Sequence, residues 1–394
     1  MGYLKSFMNS CKQEVIKARP DVEVHPVDAW PSMRSMWTEL ALNSPHTSFF
    51  LTVDWVETWI QTFGELLKPD ILLFHAQGHP VAACLLVQKC EKRGPFTVRR
   101  IYLNTAGEDE RDNTTVEFNT VLCLAGWEEA VAVVLAEHLQ QRNWDEIACY
   151  GVVPGIALDT LERSMPNVKP LHSLRPSYYV DLATLRQKGI GYENVLGNST
   201  RKHLRQNVRH YQKFGALRTE IPTDANSAIR LLQLLAELHQ DAWTQRGRPG
   251  AFSSQLFTSF HRKLLERTYG TGGAQLIATF VGDEPVGVLY NFVYRGKVYF
   301  YQLGLRYTAD KRLSPGLVCC AYAITRCLEQ GLDEFDFLAG GSQYKRTWST
   351  HVRQLDWLVF RRNSTKMAVI EALRYAKDTI RRLKSRANRA PIEE

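Results

Sequence analysis

No apolar run in this chain of 394 residues reaches bilayer-spanning length. The longest candidate, residues 130–139, is interrupted by Glu137 and His138. The first twenty residues lack an apolar stretch behind a basic start, so they do not read as a secretory signal. Cysteine is sparse, with eight residues and no Cys-x-x-Cys pair. Most of these cysteines lie in apolar segments, where free thiols behave as small hydrophobes. That usage predicts a reducing, cytoplasmic location. The motifs of several enzyme classes are also missing. There is no Gly-x-Gly-x-x-Gly, no phosphate loop ending in Gly-Lys-Ser/Thr, no His-Glu-x-x-His and no Gly-x-Ser-x-Gly. Nothing therefore argues for hydride transfer, nucleotide hydrolysis or hydrolysis by a nucleophile elbow, and no metal is expected.

What is present is a normal globular composition, 44% hydrophobic, in a length that fits two domains. Net charge is +8, and the excess is local. Residues 361–389 hold ten Lys/Arg against Glu371 and Asp378, and residues 199–218 hold six against no acid. Such fields favour an anionic partner: a phosphate-bearing cofactor, an anionic substrate, nucleic acid or anionic lipid.

The order of elements repeats. Residues 70–76 and 81–89 read as strands around a Gly-His-Pro turn, and 275–281 and 286–294 as strands around Gly-Asp-Glu-Pro. A third strand follows in each half, at 98–103 and 297–303. Then comes a helix, at 116–142 and 315–330, and a further strand, at 146–149 and 334–338. The fold class expected is α/β: duplicated domains, each a mixed, mostly antiparallel sheet flanked by helices. The predicted divisions are a flexible arm at 1–30, domains at 31–190 and 191–362, and a basic helix and tail at 363–394. Between the repeats, helices are predicted at 199–214, 226–246 and 254–269, and an amphipathic basic helix at 367–383.

Two stretches suggest chemistry. In the first, Gln302-Leu303-Gly304-Leu305 ends a strand, and Ser314-Pro315-Gly316 opens a helix whose free N–H groups suit a phosphate. A plain capped helix would look the same. The second is Phe335-Asp336-Phe337-Leu338-Ala339-Gly340-Gly341, followed by Tyr344-Lys345-Arg346-Thr347-Trp348. A carboxylate inside that apolar strand must be hydrogen-bonded, paired or neutral. It reads equally as a structural group or as a proton acceptor.

These residues resemble the CelD/BioF-like acetyltransferases of the GNAT superfamily, relatives of the FemABX aminoacyltransferases. The likeness runs from residues 49–64, with Phe49, Phe50, Trp55 and Trp59, through the basic 200–209. It continues through Leu238, His239, Trp243 and Gly247 to Ser314-Pro315-Gly316 and the segment 335–348. It implies two GNAT-like domains and direct attack of a primary amine on acetyl-CoA or a longer acyl-CoA held in the second. The acceptor implied is a small molecule or cell-envelope precursor. The resemblance further implies Asp336 or His239 as base and Tyr344 as acid to the leaving thiolate. Gln302, Leu303, Gly304, Leu305, Arg312, Ser314, Gly316 and Lys345 would hold the acyl-CoA. Trp243, Arg201, Arg205 and Trp348 would hold the acceptor. The acidic loop 104–115 would face acceptor or solvent. Alternatives are a transferase dependent on aminoacyl-tRNA, as in FemABX, and a noncatalytic nucleic-acid-binding or scaffold protein. Peripheral membrane contact through 367–383 is a further expectation.

Overall fold

The computed structural model describes residues 19–387. The first half runs β1 (Asp21–Pro26), α1 (Trp30–Asn43), α2 (Val53–Leu67), β2 (Asp70–Ala76), β3 (His79–Arg93), β4 (Phe96–Leu103) and a short β5 (Leu122–Cys123). It continues with α3 (Glu128–Gln141), β6 (Glu146–Val152), α4 (Ile156–Arg163), β7 (Val168–Leu171) and β8 (Leu174–Asp181). The second runs α5 (Leu182–Gln187), α6 (Asn198–Tyr211), β9 (Leu217–Glu220), α7 (Ala225–Thr244), α8 (Gln255–Thr268), β10 (Ala274–Val281), β11 (Glu284–Tyr294) and β12 (Lys297–Leu305). It ends with α9 (Pro315–Glu329), β13 (Glu334–Ala339), α10 (Gln343–Trp348), β14 (His351–Arg362) and α11 (Thr365–Ala387).

All strands join one sheet, in the order β1-β2-β3-β4-β6-β14-β8-β13-β12-β11-β10-β9, with β5 on β3 and β7 on β14. Strand pairing is antiparallel except at two junctions, β4 with β6 and β12 with β13. The centre is crossed: β8, from the first half, lies against β13, and β14, from the second, lies against β6. The result is a mixed, mostly antiparallel sheet flanked by helices.

Local chemistry fixes the helix starts. Thr52 accepts from the Trp55 N–H at α2, Asp224 and Ser227 form a capping box at α7, and Ser254 accepts from the Phe257 N–H at α8. Pro315 occupies the first turn of α9, where a missing N–H costs nothing. The apolar faces settle two cores. Leu235 of α7 and Phe260 of α8 join the core that holds Phe49, Phe50, Trp55 and Phe292. Leu204 of α6 and Val318 of α9 join the other, with Phe335 and Phe337. The sheet of the second half is thus sandwiched, with α7 and α8 on one face and α6 and α9 on the other. Phe49 stacks on Phe292 at 4.5 Å, so the first motif of the family resemblance ties the halves together through packing.

Several expectations need correction. Residues 21–29 are not an arm: β1 pairs with β2 along its whole length, and a 3-10 turn follows. Residues 1–18 and 388–394 lie outside the described residues. The helix expected at 116–142 is confined to α3, because the stretch before it is extended and irregular, with Thr115 and Phe118 at positive φ. The acidic loop is packed in place. Trp59 Nε1 and Thr114 Oγ1 donate to a half-buried Glu108, Lys89 pairs with Asp109, and Ser254 Oγ donates to Asp112. The thiols of Cys84, Cys149, Cys319, Cys320 and Cys327 are buried, whereas Cys90 is exposed; Cys11 lies outside the described residues.

Candidate active site

The two strands of the second parallel junction pair only over Lys297–Tyr299 and Glu334–Asp336. Beyond that they part. The partner strand β11 shifts register between Tyr290 and Asn291, opposite residues 300–302, and Leu338 of β13 takes φ 58°. A bulge and a left-handed residue both end regular pairing. Over the gap, on the α9 side, lies a cavity of about 660 Å³. Its floor includes Leu303 and Leu305 of β12, one wall is Ser314, Gly316 and Leu317 at the start of α9, and the other is Tyr344 and Trp348 of α10. Ser199, Thr200 and His203 of α6 close the rim. Among the described residues in the lining, His203 is the only side chain able to carry positive charge. At the helix start the Gly316 N–H is left to meet an anion, since Pro315 has none and the Leu317 N–H donates to the Ser314 carbonyl at 3.2 Å. Asn207 fixes the approach, accepting from the Ser314 N–H at 2.6 Å.

The residues singled out from sequence divide into three groups. Leu303, Leu305, Ser314, Gly316, Tyr344 and Trp348 meet around this cavity. Desolvation by its surroundings raises the Tyr344 phenol, although the residue is still 38% exposed, and it stays protonated at neutral pH. A second group sits elsewhere. Arg312 pairs with Asp310; Arg201 donates to the carbonyls of Asn194 and Leu196; Arg205 pairs with Glu193. His239 packs against Trp243 and Phe252, and burial lowers its pKa. Gly304 and Gln302 do not line the cavity. At Gly304 a Cβ would lie 2.5 Å from the Leu235 carbonyl oxygen, so α7 requires glycine there.

The third group is on the opposite side of the gap. Asp336 is fully buried, accepts from Ser177 Oγ and the Leu338 N–H at 2.7 Å each, and faces Lys297 and Arg353 at 3.5 and 3.6 Å. Burial raises its pKa against those cations. It lines no part of the cavity. Lys345 turns away from Tyr344 and donates to the carbonyls of Leu338 and Ala339, at 3.1 and 2.9 Å. Desolvation lowers its pKa.

Sequence reasoning missed Glu117. Its Oε2 accepts from the Ala339 N–H at 2.7 Å, at the end of the parted strand. It is buried, and desolvation, opposed by the Ala339 N–H and Lys345 and aided by Asp336, pushes its pKa up to about 7. Beside it, Tyr301 of β12 donates to the Thr114 carbonyl, and His261 of α8 packs 5.0 Å from the Tyr301 ring. His261 is fully buried, neither ring nitrogen has a partner among the described residues, and burial drops its pKa to about 3. The sequence signal for Glu117 was an acid between Val116 and Phe118; for His261, a histidine on the apolar stripe of Phe257 and Leu264. Neither shows that two distant segments converge.

Residues 198–346 match a family model described as an acetyltransferase (GNAT) domain. None of the curated proteins matches. Among solved structures, FemX is similar at a TM-score of 0.54 and 12% identity, over 82% of this chain and 95% of that one. A conserved protein of unknown function from Bacteroides thetaiotaomicron reaches 0.50 at 12%, over 84% and 97%. The C-terminal domain of a putative lysylphosphatidylglycerol synthetase from Agrobacterium fabrum reaches 0.49 at 11%, over 88% and 96%. At such identities the first two likenesses show the fold alone. The match to an acetyltransferase (GNAT) domain, over residues 198–346 and so less than half of the chain, supports acyl-CoA-dependent N-acyl transfer.

Proposed function

We propose that the chain is two GNAT-like domains, of the CelD/BioF-like kind, with one working site in the β12–β13 gap of the second. The acceptor proposed is a primary amine of a small molecule or envelope precursor. The observation that carries this reading is the alignment of three features. A helix start opens on an apolar cavity, the cavity lies over a gap between parallel strands, and a buried carboxylate of raised pKa stands at the far end of that gap.

The residues present fit an acyl-CoA. The start of α9 would take its pyrophosphate, with Ser314 and Gly316 leaving room for close approach. Leu303, Leu305, Tyr344 and Trp348 would flank the pantetheine arm, and backbone N–H groups of β12 near the bulge would polarise the thioester carbonyl. Glu117 is proposed as general base. Its carboxylate takes a proton from the ammonium of the acceptor, the amine nitrogen forms the new C–N bond, and the C–S bond breaks. Tyr344 gives its phenolic proton to the leaving thiolate, and the second proton that the nitrogen sheds on becoming an amide restores the phenol through solvent. Lys345 holds the end of β13 in place through its two carbonyl contacts. Asp336 acts as a positioning group between Lys297 and Arg353.

Calorimetry with acetyl-CoA tests the cavity. Wild type should bind, and Gly316→Trp should lose binding while still unfolding cooperatively, its added Cβ meeting Leu305 Cδ1 at 3.2 Å. Failure of acetyl-CoA and longer acyl-CoAs to bind would turn the reading toward a tRNA-borne donor or a noncatalytic protein.

A further inference from the structure

Helix α11 is docked only by its first turns. Met367 is buried, Ile370 is partly covered, and Lys366 donates to Asp145. From Glu371 onward every residue whose side chain is described is exposed. Val369, Leu373 and Ile380, exposed by 42%, 53% and 54%, recur at spacings of four and seven, which is one stripe of a helix. Arg374, Lys377 and Arg381 fall together on one flank of that stripe, and Glu371 falls on the far side. Among the described residues Arg374 and Lys377 pair with no carboxylate.

At the foot of the helix lies a second cavity of about 890 Å³, between α11, the turn joining β3 to β4, and β14. Arg93, Arg100, Arg361, Arg374 and Lys377 line it against one carboxylate, Glu371. Buried Glu146 holds the first three in place from behind, with Glu91 on Arg93 and Arg100 and Glu371 on Arg361, so the charge the hollow offers is that of Arg374 and Lys377. The apolar stripe and the basic hollow are thus adjacent on one surface.

We propose that this surface binds an anionic lipid bilayer. The helix lies in the interface, with Val369, Leu373 and Ile380 among the acyl chains and Arg374 and Lys377 level with the phosphates. The basic cavity takes a headgroup. Charge decides between occupants. Ten Lys/Arg against two acids over residues 361–389 repel a second copy of the same helix. A nucleic acid would use the cations and leave the apolar stripe in water. An anionic bilayer satisfies both at once, each basic residue adding roughly fivefold in affinity near the surface. The proposal does not rest on the transferase assignment.

The test is co-sedimentation of the full chain with vesicles of phosphatidylcholine alone or mixed with phosphatidylglycerol. Binding to the mixed vesicles should exceed binding to phosphatidylcholine by about tenfold or more and should weaken with salt. Leu373→Glu combined with Ile380→Glu should lower it by about tenfold or more, and Arg374→Glu combined with Lys377→Glu by a similar factor. Neither pair should move the melting temperature, because these side chains are exposed. Equal binding to both vesicle types, or unchanged binding of the Leu373/Ile380 variant, overturns the proposal. So does a stable dimer that the same variant dissolves without any vesicle binding.

Discussion

The two parallel junctions start alike and end differently. In the first, Arg100, Ile101 and Tyr102 pair with Glu146, Ile147 and Ala148. In the second, Lys297, Val298 and Tyr299 pair with Glu334, Phe335 and Asp336. A glutamate opens each pairing and is held by cations: Glu146 by Arg93, Arg100 and Arg361, Glu334 by Lys297 and Arg353. Past this shared start, the first gap is stitched shut. Asn119 Nδ2 donates to the carbonyls of Leu103 and Tyr150, one on each parting strand, at 3.2 Å. Across the second gap lies the cavity of Leu303, Leu305 and Tyr344. One scaffold can therefore be a wall or a site, depending on whether one polar side chain bridges both parting strands, as Asn119 does, or polar groups satisfy one strand alone, as Glu117 and Lys345 do on β13. The segment that closes the first junction also serves the second, since Glu117 lies two residues before Asn119.

The sharpest break of that comparison is Glu117→Gln. Turnover should fall by roughly 10²–10⁴-fold, the usual worth of a positioned general base. In wild type, activity should rise with pH through about 7, as the carboxylate forms, and the variant should lose that limb. Stability gives an independent sign. A carboxyl whose pKa is raised on folding binds its proton more tightly in the native state. Wild type should therefore lose stability as pH rises from the unfolded value near 4.5 to about 7, and the glutamine variant should not. Chemical denaturation across that window measures it.

Glu146→Gln attacks the shared start of the first junction. Removing the charge leaves three guanidinium groups around a buried site, at a cost of about 3–5 kcal/mol. The arginines hold the Glu146 pKa down to about 2. Its contribution is present above the unfolded value and lost as pH falls toward 2, so the variant and wild type should converge in acid. Acetyl-CoA affinity at the second junction should be unchanged.

Gly151→Ala is expected to disturb both junctions together. Gly151 has φ +64°, and a Cβ would sit 2.7 Å from the Val116 carbonyl oxygen and 2.9 Å from the Glu117 Cα. Strain of this kind costs about 1–3 kcal/mol. Because the displaced segment carries Glu117, turnover should drop along with the melting temperature. A fall in stability with full turnover would separate the two roles of the segment.

How much of this the sequence reveals depends on the range of the interaction. The hairpin β10–β11, the start of α9 at Pro315 and the extent of α7 are local, set by turn chemistry and by the 3.6-residue period, and all three are read correctly from sequence. β14 is not: its twelve residues pair with β6 and β8 from the other half, and nothing nearby in sequence announces those partners. The site divides the same way. The cavity wall at Ser314, Gly316 and Tyr344 belongs to contiguous motifs. Glu117 reaches Ala339 across 222 positions, and its role arises only from that contact. Asp336 drew attention as an acid in an apolar strand, a pattern that signals burial without saying whether a ligand is near.

Asn119→Ala isolates the stitch itself. The mutation removes an amide that donates to both parting strands and accepts from Asn104 Nδ2 at 2.7 Å, all in a fully buried setting. Two backbone carbonyls and one side-chain donor lose a partner. Each such loss costs on the order of 1 kcal/mol, so about 3 kcal/mol is expected in sum. The melting temperature should drop without loss of acetyl-CoA binding, because the cavity lies at the other junction. The glutamine variant Asn119→Gln keeps the chemistry but lengthens the arm, and should recover little, since the register of both carbonyls fixes the reach. If Asn119→Ala instead weakened acetyl-CoA binding in proportion to stability, the two junctions would be one cooperative unit, and the contrast between a closed and an open gap would be a matter of degree.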